Sequence, residues 1–159
     1  MILSYRNAES FDMERCVEVR GMTNDNPMTI NELDSIGVNS SNWCPLIESG
    51  AFLGKVCQLN NIVIGFCFGE VNSGEILVLA VLPEYEGMGI GAKLLGGVSK
   101  KLLQSGSDKL WLAASPDPIV RAYGFYRFLG WKDTGKLNED GDQILALLSP
   151  LEIMSGDEY

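Results

Sequence analysis

The chain has 159 residues, 46% of them hydrophobic, enough for one domain with a real core. Its net charge of −9 opposes binding to a phosphate backbone, so nucleic acid is not an expected partner. The chain has no histidine, and Cys16, Cys44, Cys57 and Cys67 lack CxxC spacing; this argues against a zinc site and leaves acid–base chemistry to Glu, Asp, Tyr, Cys, Lys or water.

No window approaches 18 uninterrupted apolar residues, and "MILSYRNAESFDMERC" lacks a basic segment leading into an apolar one. The expectation is therefore a cytoplasmic protein with no membrane association, its cysteines buried as free thiols. Along the chain, "MILSYRNA" reads as a short strand, and Ser10 is placed to cap a helix running to about Arg20. "NDNP" is turn chemistry. Thr29 with Glu32 three residues on forms a capping-box pattern for a second short helix. Residues 43–50 show no decisive period. "AFLGKVCQL" and "IVIGFCFGEV" are strand-like runs joined by Asn60-Asn61, a two-residue hairpin turn.

"NSG" then turns into the apolar strand "EILVLAV" (Glu75–Val81). Beyond "PEYE", a helical stripe of Ile90, Leu94, Val98 and Leu102 begins. "DKLWLAAS" is a further strand, "PDPIVRAYGFYRFLG" a helix stopped at Gly130, and "WKDTGKL" with "DQILALL" a closing hairpin. The expected order is β-α-α-β-β-β-α-β-α-β-β. The fold class is α/β (α+β), a mixed, mostly antiparallel sheet of about six or seven strands with about four helices on its faces.

Gly87, Gly89 and Gly91 alternate where the strand hands over to the helix. Residues without Cβ atoms let backbone N–H groups approach a ligand, and a helix N-terminus adds unpaired donors and partial positive charge. Together these suit a pyrophosphate. A P-loop reading fails because Ala92 precedes Lys93 and Leu94 follows it. The GxGxxG/A dinucleotide pattern is matched by Gly87, Gly89 and Ala92, but "PEYE" intervenes after the strand and Asp108 falls at the wrong end of the next one.

"LAVLPEYEGMGIGAKLL" resembles the acyl-coenzyme A motif of the GCN5-related N-acetyltransferase (GNAT) superfamily, V-x-P-x-Y followed by (Q/R)-x-x-G-x-G/A. Val81, Pro83, Tyr85, Gly89 and Gly91 match; Glu86 stands where Gln or Arg is usual. "RAYGFYRFLGW" is similar to the second signature, N-x-x-A-x-x-F/L-Y-x-x-x-G-F/W, through Ala122, Phe125, Tyr126, Gly130 and Trp131. Ile119 replaces the frequent Asn, whose role is absent or passes to Ser115 or Asp117.

The resemblance implies a single GNAT domain over residues 1–149 with an acidic tail at 150–159. It implies acetyl-CoA as co-substrate and no metal, bound by Leu79, Val81, Gly87, Met88, Gly89, Ile90, Gly91, Ala92 and Tyr126. The acyl group would pass directly to the primary amine of a small molecule or a lysine-type acceptor. Such an amine has a pKa near 10.4, so only about one molecule in 10³ is nucleophilic at neutral pH, a deficit of about 4 kcal/mol.

By the same resemblance Tyr126 protonates the leaving thiolate, Glu75 serves as base, and a bulge near Leu79 and Val81 stabilises the oxyanion. Each has a plain alternative: Tyr126 as a core-edge ring bonded to backbone, Glu75 as a solvated turn residue. Gly96-Gly97 imply either a close crossing over the sheet or a weak helix. Trp43, Trp131, Glu32 and Asp34 are candidates for an acceptor pocket, and the apolar "ILALL" for a homodimer contact. The competing class is a non-catalytic acyl-CoA-binding or sensor domain of the same fold, favoured by Glu86 and Ile119.

Overall fold

The computed structural model describes residues 2–147. Its elements are β1 (Leu3–Asn7), α1 (Met13–Gly21), α2 (Ile30–Ser35), α3 (Ser40–Ser49), β2 (Phe52–Leu59), β3 (Ile62–Glu70), β4 (Ile76–Val81), α4 (Ile90–Gln104), β5 (Leu110–Ala114), α5 (Arg121–Phe128), β6 (Lys132–Leu137) and β7 (Gln143–Leu147). The acidic tail expected at 150–159 lies outside the described residues.

The seven strands form two antiparallel sheets, β1-β2-β3-β4 and β5-β7-β6. One parallel bridge, Glu75 with Trp111, joins them. Beyond it β4 and β5 diverge, so the expected mixed sheet is a V hinged at the start of β4. The apex is well tied. Trp111 donates its amide to the Gly74 carbonyl at 3.1 Å and its indole Nε1 to the Ser73 carbonyl at 3.0 Å. Asn60 and Asn61, with φ of 51° and 65°, make the tight β2–β3 turn that their side chains tolerate.

On β3 the alternation of small and aromatic residues sorts the layers. Gly65, Cys67 and Gly69 face α4; Phe66 and Phe68 face the layer of α1 to α3, where Trp43 stacks edge-on to Phe52 at 4.8 Å and to Phe68 at 5.5 Å. A Cβ on Gly69 would lie 2.6 Å from Leu102 Cδ1. The close helix–sheet approach therefore comes from β3. Gly97 meets only Lys55 methylenes at an ordinary 3.5 Å and Gly96 meets nothing, which leaves that pair without the crossing role expected of it. Leu102, fully buried here, contributes about 1.5–3 kcal/mol.

Three local points go against or beyond what the sequence implies. Ser10 does not cap α1. The turn before it is closed by Asp12, whose Oδ2 accepts from the Glu9 amide at 2.8 Å while Arg6 donates to both carboxylate oxygens at 2.7 and 2.8 Å. Residues 43–49 belong to α3, a fifth α-helix, which Gly50 ends at a φ of 83°. Asn39 caps it by accepting from the Asn42 amide, but Pro45 inside it masks the helical pattern. Finally, β7 runs between β5 and β6 with Leu145 and Ala146 fully buried, so these two residues of the apolar run belong to the core, Ile144 is half-buried and Leu148 lies outside the described residues. Thr29 and Glu32 form the expected capping box.

Candidate active site

The gap between β4 and β5 is a cleft of about 520 Å³, within the usual range for small-molecule sites. β4 pairs with β3 along one edge; past Glu75 its other edge has no strand partner among the described residues. Opposite Phe68 and Gly69 of β3, Leu77 is the extra residue of a bulge in β4. A bulge locally breaks the ladder and turns backbone groups out of their regular direction. A bulge thus exists, but at Leu77 and not at Leu79 and Val81, the positions expected of it.

At the far end of β4 the chain enters the glycine loop. Gly87 and Gly89 adopt φ of 80° and 79°, and a Cβ on either would meet open space. Their need for glycine is therefore conformational, and the surface they leave is bare backbone. The first bond of α4 runs from the Lys93 amide to the Gly89 carbonyl, and among the described residues no backbone acceptor takes the amides of residues 87–92. Six consecutive donors at the positive end of a 15-residue helix form an anion cradle. Gly91 differs: it sits within the helix, close under the Phe125 ring.

Leu79, Val81, Gly87, Gly89, Ile90, Gly91, Ala92 and Tyr126 all line the cleft. Met88 does not; its side chain turns outward, 43% exposed, leaving only its amide on the loop. Lys93 adds no charge here, because its ammonium stacks over the Tyr5 ring at 4.4 Å. Glu86 is held by Arg121 at 3.2 Å and approached by Asn24 at 3.5 Å. This exposed ion pair is worth at most about 1 kcal/mol, but it sets a guanidinium at the cleft mouth where the motif usually carries a cation or an amide. Neither Ser115 nor Asp117 lines the cleft. Both cap their own turn, which leaves the missing Asn at Ile119 without a substitute.

Tyr126 stands on α5, across the gap from β4. Its ring packs edge-on to Phe125 at 5.2 Å. Burial, and secondarily Cys67, raises the phenol pKa, and the hydroxyl has no hydrogen-bond partner among the described residues. That disposes of the backbone-bonded alternative. Glu75 sits at the apex, one residue short of the cleft wall that begins at Ile76. Burial first and Glu70 second raise its pKa. The structure thus gathers the residues expected to hold a coenzyme, the Met88 side chain excepted, with Tyr126 and leaves Glu75 beside them.

Sequence reasoning passed over Arg20, Asp25 and Arg121, which also line the cleft, as does Phe125 of the second signature. Arg20, a cation in the last turn of α1 one residue before the turn-rich "MTNDNP", was the available signal. Of the acceptor candidates, Trp43 lines a second cavity. Trp131 is core, Glu32 is used in its capping box, and Asp34 accepts from Asn39 at 2.8 Å. Among the described residues no cluster suits a metal ion, and no helix is long and apolar enough to cross a membrane.

Comparison with known proteins agrees with this geometry. The family model described as "Acetyltransferase (GNAT) family" matches residues 25–131. A mycothiol acetyltransferase of Corynebacterium aurimucosum is 36% identical over 52 residues, covering 31% of this chain and 17% of that protein. A [ribosomal protein bS18]-alanine N-acetyltransferase of Haemophilus influenzae is 38% identical over 55 residues, covering 33% of this chain and 38% of that protein. The chain therefore spans well under half the length of these curated relatives. Among solved structures, the PaiA N-acetyltransferase of Thermoplasma acidophilum in complex with coenzyme A superimposes with a TM-score of 0.75 at 22% identity, covering 92% of this chain and 98% of that one. YncA of Salmonella typhimurium, with its cofactor acetyl-CoA, gives 0.69 at 15% identity over 92% of each chain.

Proposed function

We propose that this chain, which belongs to the acetyltransferase (GNAT) family, moves an acetyl group from acetyl-CoA to the primary amine of an acceptor by direct attack in a ternary complex. The observation that carries this reading is the row of unpartnered amides on residues 87–92 at the end of a cleft whose β4 edge is open. The residues present fit the coenzyme: donors without side chains for a diphosphate, and an unpaired strand edge for the amides of a pantetheine arm. When bound, acetyl-CoA supplies an activated carbonyl carbon, to which the amine nitrogen bonds as the carbon–sulfur bond breaks.

Around that exchange the chain has three tasks. Amides of residues 87–92 hold the diphosphate, and Arg121, fixed by Glu86, offers guanidinium donors at the mouth. The bulge at Leu77 lets a β4 amide donate to the carbonyl oxygen as it gains charge. Tyr126, like any phenol, holds its proton across the physiological range and gives it to the departing sulfur as charge develops there, to be reprotonated from water. Glu75, adjacent to the cleft wall, takes the proton lost by the ammonium through water. Its raised pKa makes it a stronger base than an ordinary carboxylate.

Thermal unfolding with acetyl-CoA tests the reading. At 100 times the dissociation constant the ligand adds about 2.7 kcal/mol to stability. Gly89→Val, which places a β-branched residue at positive φ, is expected to lose most of that gain. No shift at millimolar acetyl-CoA would overturn the coenzyme site and the reading with it.

A further inference from the structure

Beside the coenzyme cleft lies a second cavity of about 150 Å³, walled by Cys16, Leu33, Trp43 and Phe66. It meets the cleft along Arg20, Leu77 and Val78, which line both. Cavities of about this size with apolar walls stay dry and accept a benzene-sized group. Arg20 is the one charged residue on the wall of this chamber. Its Nη1 donates to the Asn26 carbonyl at 2.7 Å and to Thr23 Oγ1 at 3.3 Å, which leaves Nε and Nη2 without an acceptor among the described residues. That open edge is the fork with which a guanidinium takes a carboxylate through two parallel bonds. Arg20 is half-buried, and burial lowers its pKa with no carboxylate offsetting the effect. It is a cation short of both water and counter-charge.

We propose that the acceptor is a free apolar α-amino acid, its side chain in the chamber, its carboxylate on the open edge of Arg20 and its amine turned into the cleft. This rests on the acetyltransferase reading and narrows its substrate. A polyamine or a lysine side chain would bring a second positive charge towards Arg20 and leave the apolar walls unfilled. A protein N-terminus could fill the chamber, but it carries an amide where the carboxylate is required.

The test compares kcat/KM for acetylation of L-phenylalanine, L-phenylalaninamide, L-alanine and spermidine, with calorimetry of L-phenylalanine binding alongside. A hydrogen-bonded charge pair is worth about tenfold or more, so L-phenylalanine should exceed its amide by that factor. Arg20→Met should bring the acid-to-amide ratio to about one, and Arg20→Lys should restore part of it. Val38→Phe, which adds bulk to a half-buried wall residue of the chamber, should raise KM for L-phenylalanine and not for L-alanine. Faster turnover of spermidine or of the amide than of L-phenylalanine overturns the proposal and leaves the acetyltransferase reading intact. If acetyl-CoA neither binds nor reacts, that reading fails. Calorimetric binding of L-phenylalanine that disappears in Arg20→Met would then support the proposed site, and absence of binding would overturn it.

Discussion

The two helices that border the cleft are anchored to very different degrees. α4 buries Ile90, Leu94, Leu95, Val98, Ser99 and Leu102 against the first sheet. α5 has no fully buried residue; Phe128 at its end and Ile119, two residues before its start, are 89% and 92% exposed. The wall that presents backbone amides is thus fixed by core packing, whereas the wall that carries Tyr126 leans on half-buried contacts. Anion binding by six amides needs a rigid array; proton delivery needs one hydroxyl free of other partners. On the function proposed above, the difference in packing follows the difference in task.

The sharpest way to break this division is on the lightly held wall. Tyr126→Phe removes the hydroxyl and keeps the ring, so kcat should fall by about 10²-fold or more, the usual worth of a placed acid, with coenzyme affinity unchanged. Unchanged turnover in a steady-state assay would take Tyr126 out of the chemistry. The next largest effect is expected at the hinge that sets the gap between the walls. Gly74 has φ of +74°, and a Cβ there would run into the Lys109 carbonyl. Gly74→Ala should cost about 2 kcal/mol or more in denaturant unfolding and lower kcat, because the apex must open to admit the methyl group. A stable variant with full activity would show that the spacing of the V is not set at its apex.

The contrast also predicts a difference in amide exchange. Amides of α4 should exchange only near global unfolding, and those of α5 through smaller openings. Acetyl-CoA should slow α5 more than α4, since α5 has more order to gain. Equal protection of both helices in the free protein would contradict the contrast drawn from their burial.

How much of this was written in the chain depends on how local each feature is. The glycine loop and the aromatic pair Phe125-Tyr126 are short patterns whose meaning survives without neighbours, and both line the cleft. The Asn60-Asn61 turn and the Thr29–Glu32 box are likewise decided within a few residues. What stayed hidden depends on contacts across the fold. Lys93 is drawn away by the Tyr5 ring of another strand. Arg20 matters only because α1 ends where β4 bulges. Gly65 and Gly69, strand glycines that attract no notice in a β-rich run, bring α4 close, while the conspicuous Gly96-Gly97 do not. The split of the sheet at Glu75 has no sequence mark beyond the turn before it.

Glu75 carries the smallest effect and the most informative sign. It lies where the two halves touch, and burial together with Glu70 makes its carboxyl hold a proton more tightly in the folded chain than in the unfolded one. Below its ordinary pKa of about 4.3 the group is protonated in both states and neither adds nor removes stability. As pH rises through the raised folded value the protein must surrender a proton that the unfolded chain gives up more readily, so stability falls. Glu75→Gln should therefore melt higher than the parent at neutral pH and at the same temperature near pH 4. For catalysis the sign reverses: the variant should lose activity at neutral pH and recover part of it in alkali, where more of the acceptor amine is already free. A raised melting point with an unaltered pH–rate profile would make Glu75 a residue of the hinge alone, and the base would then have to be water in the cleft.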